Sequence, residues 1–147
     1  LIKIWKEHIF KRDKNKKLLI TPIENDYTEY NITNREFGNK TRLISDILSS
    51  RLLLIPGHKA ELYCIAAEEA RELCIPIVTL GIGCLNERVD HGKTGLIANN
   101  EKEFADYTIQ LFNDDNIWND MKKNLLSLRG SKKWKNIAEQ FIKNAYD

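Results

Sequence analysis

The stretch that decides the fold runs from Leu52 to Gly83 and reads LLLIPGHKAELYCIAAEEARELCIPIVTLGIG. Its two continuous apolar runs, Leu52–Ile55 and Ile77–Leu80, are typical of short strands that are buried on both faces. The first run is followed by a Pro-Gly pair and the second by a glycine, so both strands are predicted to stop there. The segment between them, Cys64–Cys74, is rich in Ala and Glu and predicts a helix. The stretch therefore predicts a strand, a helix and a second, parallel strand.

The same alternation continues on both sides of this unit. Apolar spacing and capping residues predict helices over 1–12, 39–50, 101–113, 115–128 and 131–146, and short strands at 18–20, 30–33 and 96–98. This pattern predicts an α/β fold with a doubly wound, mostly parallel sheet and helices on both faces. Ligands of such folds bind beyond the carboxyl ends of the strands, here Pro56–Glu61 and Gly81–Glu87.

Composition limits the class of protein. The 147 residues are 42% hydrophobic and 30% charged, which predicts one globular domain. The 23 basic residues nearly cancel the 21 acidic ones, so we expect no nucleic-acid partner. Three cysteines spaced ten apart, Cys64, Cys74 and Cys84, match neither a disulfide framework nor a zinc site, and we expect buried thiols.

No apolar run reaches the roughly 20 residues of a membrane span, and no signal peptide opens the chain, so a cytoplasmic protein is expected. The last predicted helix carries an apolar face with Lys side chains around it. A peripheral contact of this helix with the inner face of a membrane is therefore one alternative. Packing of this helix on the domain is the favoured interpretation.

Two glutamates flank the start of the predicted central helix. Glu61 lies in the loop before it and Glu69 in its second turn, so their carboxylates are up to about 12 Å apart at 1.5 Å rise per residue. The helix start between them favours a diphosphate, because backbone N–H groups and the helix dipole attract anions there. Carboxylates accept hydrogen bonds from ribose and sugar hydroxyls, and glycines at Gly81 and Gly83 permit close approach of a second loop. This arrangement suits a nucleotide diphosphate sugar.

Five features taken together resemble the C-terminal domain of retaining GT-B glycosyltransferases, the group 1 or family 4 enzymes. They are Glu61, Glu69-Ala70, the strand start Pro76-Ile77-Val78, the loop Gly83 to Glu87, and the turn His91-Gly92-Lys93-Thr94-Gly95. The resemblance covers roughly residues 30–128. It implies a Rossmann-like domain that binds a UDP- or GDP-linked sugar. No Asp-x-Asp-type cluster appears near the predicted site, so we expect neither a metal nor another cofactor.

The resemblance also implies roles for individual residues. Glu69 would bind the nucleotide ribose, and Glu61 would contact the transferred sugar as the candidate catalytic group. The diphosphate and sugar would be lined by Gly81, Gly83, Cys84 and Leu85, and the base would stack near Phe37, Gly38 and Lys40. Lys40, His58 or Lys59 would replace the cations that the family places after an earlier strand.

This chain departs from the family pattern in two ways. It reads Glu61-Leu62-Tyr63-Cys64 where family members have glycines, which makes a close approach of phosphate to this backbone harder. It also begins at Leu1 inside a predicted helix, so we expect residues 1–147 to be one donor-binding domain excised from a longer protein, without its first strand and the N-terminal acceptor domain.

The sequence thus predicts retaining transfer of a hexosyl unit from a nucleotide diphosphate sugar to a glycan or lipid-linked acceptor, with the isolated domain inactive. Two alternatives remain open at this point. One is a GT-B nucleotide-sugar epimerase, which shares the fold and the ligand. The other is a non-catalytic module whose binding site has decayed.

Overall fold

The computed structural model describes residues 1–21, 23–35 and 38–131, together with five residues further on, Lys135, Ala138, Glu139, Ile142 and Lys143. The strands are β1 (Leu18–Ile20), β2 (Ile32–Asn34), β3 (Leu53–Gly57), β4 (Ile77–Ile82) and β5 (Gly95–Ile97). The helices are α1 (Ile2–Ile4), which continues as a π-helical segment at Trp5–Ile9, a 3-10 turn (Thr28–Tyr30), α2 (Lys40–Leu48), α3 (Ile65–Glu72), α4 (Leu85–Arg88), α5 (Glu101–Asn113) and α6 (Asp115–Leu128).

Most predicted elements are present. The bounds of α5 and α6 agree with the predicted helices 101–113 and 115–128. Asn39 caps α2, since its side-chain oxygen accepts a hydrogen bond from the Arg42 amide at 3.0 Å. The predicted helix 131–146 falls largely outside the described residues, as do Pro22 and Phe37.

Two predicted strand ends are wrong. β3 runs through Pro56 to Gly57, because a shift of register between Ile55 and Gly57 absorbs the proline, which has no N–H to donate. β4 runs through Gly81 to Ile82, where it pairs with Gly57. The predicted loop 81–95 is also shorter than expected, because α4 forms within it.

All strand pairs among the described residues are parallel, and these strands are divided between two sheets where one was expected. β1 pairs with β2 in a two-stranded sheet, whereas β3, β4 and β5 lie side by side in that order. Apolar runs identify strands but do not specify their neighbours, so the division could not be read from the pattern.

Helices cover both faces of the three-stranded sheet, as predicted. Val78 of β4 belongs to one apolar cluster with Trp5, Phe104 and Met121, so α5, α6 and the N-terminal helical segment pack on that face. Ile77, the next residue, belongs to a second cluster with residues of α3 and α4, against which Ile47 of α2 also packs. Alternation along one strand therefore separates the two cores, as it does in a Rossmann-like fold.

Candidate functional site

Two loops meet at the carboxyl ends of β3 and β4. The first leads from β3 to α3 and the second from β4 to α4. The amide of Cys84 donates a hydrogen bond to the carbonyl of Glu61 at 3.1 Å. Gly83 has a φ of 70°, and a Cβ placed on it would lie 2.4 Å from the His58 carbonyl oxygen and 2.9 Å from that of Glu61. No side chain fits in this space, so glycine is required for the two loops to touch.

The first of these loops is folded around His58. The amide of Glu61 donates to the His58 carbonyl at 3.0 Å, and the amide of Ala60 donates to His58 Nδ1 at 3.2 Å. His58 and Lys59 are exposed, whereas Glu61 is half-buried. The loop therefore presents two basic side chains to solvent beside the half-buried carboxylate.

Cys64 joins this loop to α3. Its φ is 55°, a left-handed conformation that is uncommon for a residue with a Cβ, and its side chain makes no capping hydrogen bond to the helix. Burial, helped by a hydrogen bond from the thiol to the Glu61 side chain, raises the pKa of Cys64 to about 11. Cys64 is the residue immediately before α3, and Glu61 lies three residues earlier in the same loop.

Glu69 lies elsewhere on the same helix, in a groove of roughly 300 Å³ between α2 and α3. The groove has an apolar floor and four charged residues, and it is lined by Lys40, Leu43, Ile44, Ile47, Ile65, Glu68, Glu69, Glu72 and Leu73. Glu68 and Glu72 each form an ion pair with Arg71, at 2.9 and 2.7 Å. The other two charged residues of the groove, Lys40 and Glu69, take no part in these two ion pairs.

The sequence model for glycosyl transferases group 1 matches residues 11–126, which is most of the chain and includes both loops and the groove. The chain belongs to this family. No curated protein matches the chain at a significant level. Membership of the family, together with the parallel α/β architecture, supports a glycosyl transfer function and the Rossmann-like fold.

The structure brings together only part of the residue set predicted for this group 1 domain. His58, Lys59, Glu61, Gly83 and Cys84 lie at the meeting of the two loops. Lys40 and Glu69 lie together in the groove, whose lining does not include Glu61.

The remaining predicted residues occupy supporting positions. Leu85 is fully buried in the second apolar cluster, so its side chain packs in the core of the domain. Gly81 is buried with a φ of 65°, and a Cβ there would lie 2.2 Å from Asn86 Oδ1. Gly38 is exposed next to Arg42, and Phe37 lies outside the described residues.

Sequence reasoning missed two residues that shape the site. Asn86 occupies the space left by the absent side chain of Gly81. Arg88 reaches from α4 to the backbone of Tyr63, in the loop that carries Glu61, with Nε 2.9 Å from the carbonyl oxygen. Asn86 lies within the loop Gly83 to Glu87 that the sequence singled out, but its contact with Gly81 is visible only in the structure. Arg88 looks like an ordinary polar residue of a helix, and no signal in the sequence marks it.

Two further observations concern the part of the chain that the structure describes. There, no three His, Cys, Asp or Glu side chains come together in a way that could hold a metal ion. None of the described helices combines the length and the apolar character that crossing a bilayer requires.

Proposed function

We propose that this domain binds a nucleotide diphosphate sugar and takes part in retaining transfer of its hexosyl unit to a glycan or lipid-linked acceptor. The observation that supports the proposal is the close approach of Gly83 to the backbone carbonyls of His58 and Glu61, in the loop that leads to α3. In parallel α/β folds this edge of the sheet is where ligands bind.

The charges of the two regions favour one orientation of the donor. The groove carries Glu69 and Lys40, and a carboxylate there can accept hydrogen bonds from the two ribose hydroxyls. The exposed His58 and Lys59 lie in the loop that leads to α3, and the first backbone N–H groups of a helix attract phosphates. We therefore place the nucleoside between α2 and α3 and the diphosphate toward the loop contact, with the sugar at Glu61.

The chemistry required of such a site is electrostatic. The bond from the anomeric carbon to the diphosphate oxygen breaks, the bond to the acceptor oxygen forms on the same face of the sugar, and the acceptor proton leaves with the diphosphate. Negative charge grows on the diphosphate while the sugar becomes cationic, so cations and helix-end amides stabilise one partner and Glu61 the other. The acceptor itself is proposed to bind mainly to a second domain, as in the two-domain enzymes that the sequence resembles.

Calorimetric titration with UDP, GDP and ADP tests the donor site. One of these nucleotides is expected to bind, and Glu69→Ala is expected to weaken its binding by about tenfold or more, since a hydrogen bond to a charged group contributes about 1.5–3 kcal/mol. Asp120→Ala is the control, because Asp120 is an exposed acid of α6 whose ion pair with Lys123 lies away from the groove. Equal affinity of wild type and Glu69→Ala would contradict the placement of the ribose.

One observation favours a second candidate, a module whose donor site has decayed. Cys64 holds a left-handed conformation with a side chain, at the point where family members have glycine and where phosphate would approach. Absence of binding to all three nucleotides, with the protein folded by circular dichroism, would support this candidate over the transferase.

A further inference from the structure

Arg88 makes two contacts with the loop between β3 and α3 and one with α3 itself. Its Nε donates to the carbonyl oxygen of Tyr63 at 2.9 Å, and its guanidinium lies over the Tyr63 ring, 4.3 Å from the ring centroid. Its Nε is also 3.5 Å from Oε1 of Glu68 in α3. One planar cation therefore binds the backbone and the ring of a single loop residue.

The partner in α3 is itself held in place. Glu68 Oε2 accepts a hydrogen bond from Arg71 Nε at 2.9 Å, and Arg71 is only 7% exposed. Arg71 also binds Glu72 at 2.7 Å. The side chain of Arg88 is thus anchored to a half-buried ion network and is not a mobile surface cation.

The loop that carries Glu61 is consequently fixed from two sides by the segment 83–88. The amide of Cys84 holds the Glu61 carbonyl, and Arg88 holds the Tyr63 carbonyl two residues later. Directly after the second point, Cys64 turns the chain into α3 with a φ of 55°. Release of Tyr63 would leave this strained turn, and the direction of the Glu61 side chain, held at one end only.

We propose that Arg88 is a positioning residue for Glu61, acting through the Tyr63 backbone to hold the sugar-binding carboxylate at the start of α3. The inference rests on the proposed function of Glu61 as the sugar contact. It predicts that loss of Arg88 impairs recognition of the sugar and spares recognition of the nucleoside. Glu69 lies in the groove between α2 and α3, which Arg88 does not line, and Glu68, the groove residue that Arg88 contacts, stays paired with Arg71.

The chain contains a matched control for this residue. Arg51 stacks on Trp118 at 4.7 Å, donates from Nε to the Leu111 carbonyl at 2.7 Å and pairs with Asp115 at 2.6 Å. It therefore makes the same three kinds of contact, but it precedes β3 and lies at the other end of the sheet. Arg51→Ala should remove comparable stabilising contacts without touching the loop of Glu61.

The decisive measurement is the gain in affinity that the sugar provides. UDP-glucose, GDP-mannose and ADP-glucose are titrated beside the free nucleoside diphosphates into wild type, Arg88→Ala, Arg88→Lys and Arg51→Ala. Arg88→Ala is expected to reduce the gain from the sugar by about tenfold and to leave nucleoside diphosphate affinity unchanged. Arg88→Lys should lose part of the gain, because it keeps the charge but not the planar donor. Arg51→Ala should keep all of it.

A second readout does not depend on any nucleotide. Iodoacetamide labelling followed by peptide mass spectrometry compares Cys64 with Cys74, which is equally buried beyond the other end of α3. Arg88→Ala is expected to raise the rate at Cys64 by about tenfold relative to Cys74, since local opening exposes the thiol, and Arg51→Ala should not.

The two readouts separate the possible failures. If wild type binds no nucleotide but Arg88→Ala raises the labelling rate of Cys64, the proposed function is wrong. Arg88 then still holds the loop between β3 and α3. If nucleotide sugars bind and Arg88→Ala leaves the gain from the sugar intact, or if Cys64 labelling is unchanged, the positioning role is overturned. Should Arg88→Ala not fold, the same comparisons apply to Arg88→Lys.

Discussion

The two ends of the three-stranded sheet are built from the same kinds of residue. At the amino end Arg51 stacks on Trp118 and binds a backbone carbonyl, and at the carboxyl end Arg88 does the same with Tyr63. Each end also has a buried cysteine in the left-handed conformation, with φ values of 56° for Cys74 and 55° for Cys64. Residue type and local conformation therefore do not distinguish the end proposed to bind the donor from the opposite end.

The ends differ in what these residues are attached to. Cys74 follows the last turn of α3, where the amide of Ile75 binds the Ala70 carbonyl at 2.9 Å and completes a helix C-terminus. Cys64 precedes the first turn of the same helix and lies against Glu61. Cys74 therefore ends α3 at the amino end of the sheet, and Cys64 begins α3 at the carboxyl end. The helix dipole favours an anion at the start of the helix, beside Cys64.

The largest effect is expected from closing the contact between the two loops at the carboxyl end. Gly83→Ala places a Cβ 2.4 Å from the His58 carbonyl oxygen at a φ of 70°, and the strain plus overpacking should cost about 3–4 kcal/mol of unfolding free energy. Urea denaturation measures this loss, and nucleotide titration should show that donor binding is lost as well. A variant that keeps wild-type stability would show that the loops can separate freely.

An intermediate effect is expected at the amino end. Arg51→Ala removes a hydrogen bond to Leu111, an ion pair and a ring contact, and should lower the unfolding free energy by about 1–3 kcal/mol. Denaturant midpoints measure the change, and Asp115→Asn serves as a control that keeps the ring contact. If Arg51→Ala also weakened nucleotide binding, the distinction between the two ends would fail.

A smaller effect depends on pH and concerns Cys64. The folded protein raises the pKa of Cys64 from 9.0 to about 11, so the contribution of this thiol to stability is fully present below pH 9 and is lost as the pH rises to about 11. The difference in unfolding free energy between wild type and Cys64→Ala should therefore be smaller at pH 11 than at pH 8, by on the order of 1 kcal/mol. Parallel curves over this range would contradict the burial of the thiol beside Glu61.

The smallest effect is expected at Gly92, in the turn before β5. Its φ of 81° is as unfavourable for a side chain as that of Gly83, but a Cβ there would meet no atom within 4 Å. Gly92→Ala should therefore cost only about 1 kcal/mol in urea denaturation and should leave nucleotide affinity unchanged. A cost equal to that of Gly83→Ala would show that conformation, and not crowding, governs both sites.

The sequence predicted part of this fold and of the candidate site. Apolar runs and helical spacing predicted β3, β4, α5 and α6, and the spacing of Glu61 and Glu69 predicted that they flank the start of one helix. The continuation of β3 through Pro56 was not predictable, because it depends on a register shift against β4. Arg88 was not predictable either, since its partners lie 20 and 25 residues away along the chain.

The sequence by itself determined the order of strands and helices, the parallel α/β class and the family, because periodicity, turn residues and motif spacing are local properties of the chain. Only the tertiary structure decided that the strands form two sheets, that Gly83 is crowded while Gly92 is open, and that Arg88 reaches the loop of Glu61. Those facts depend on which atoms meet across the fold. A glycine or an arginine looks the same in the sequence whether its neighbours in space are water, a carbonyl oxygen or an aromatic ring.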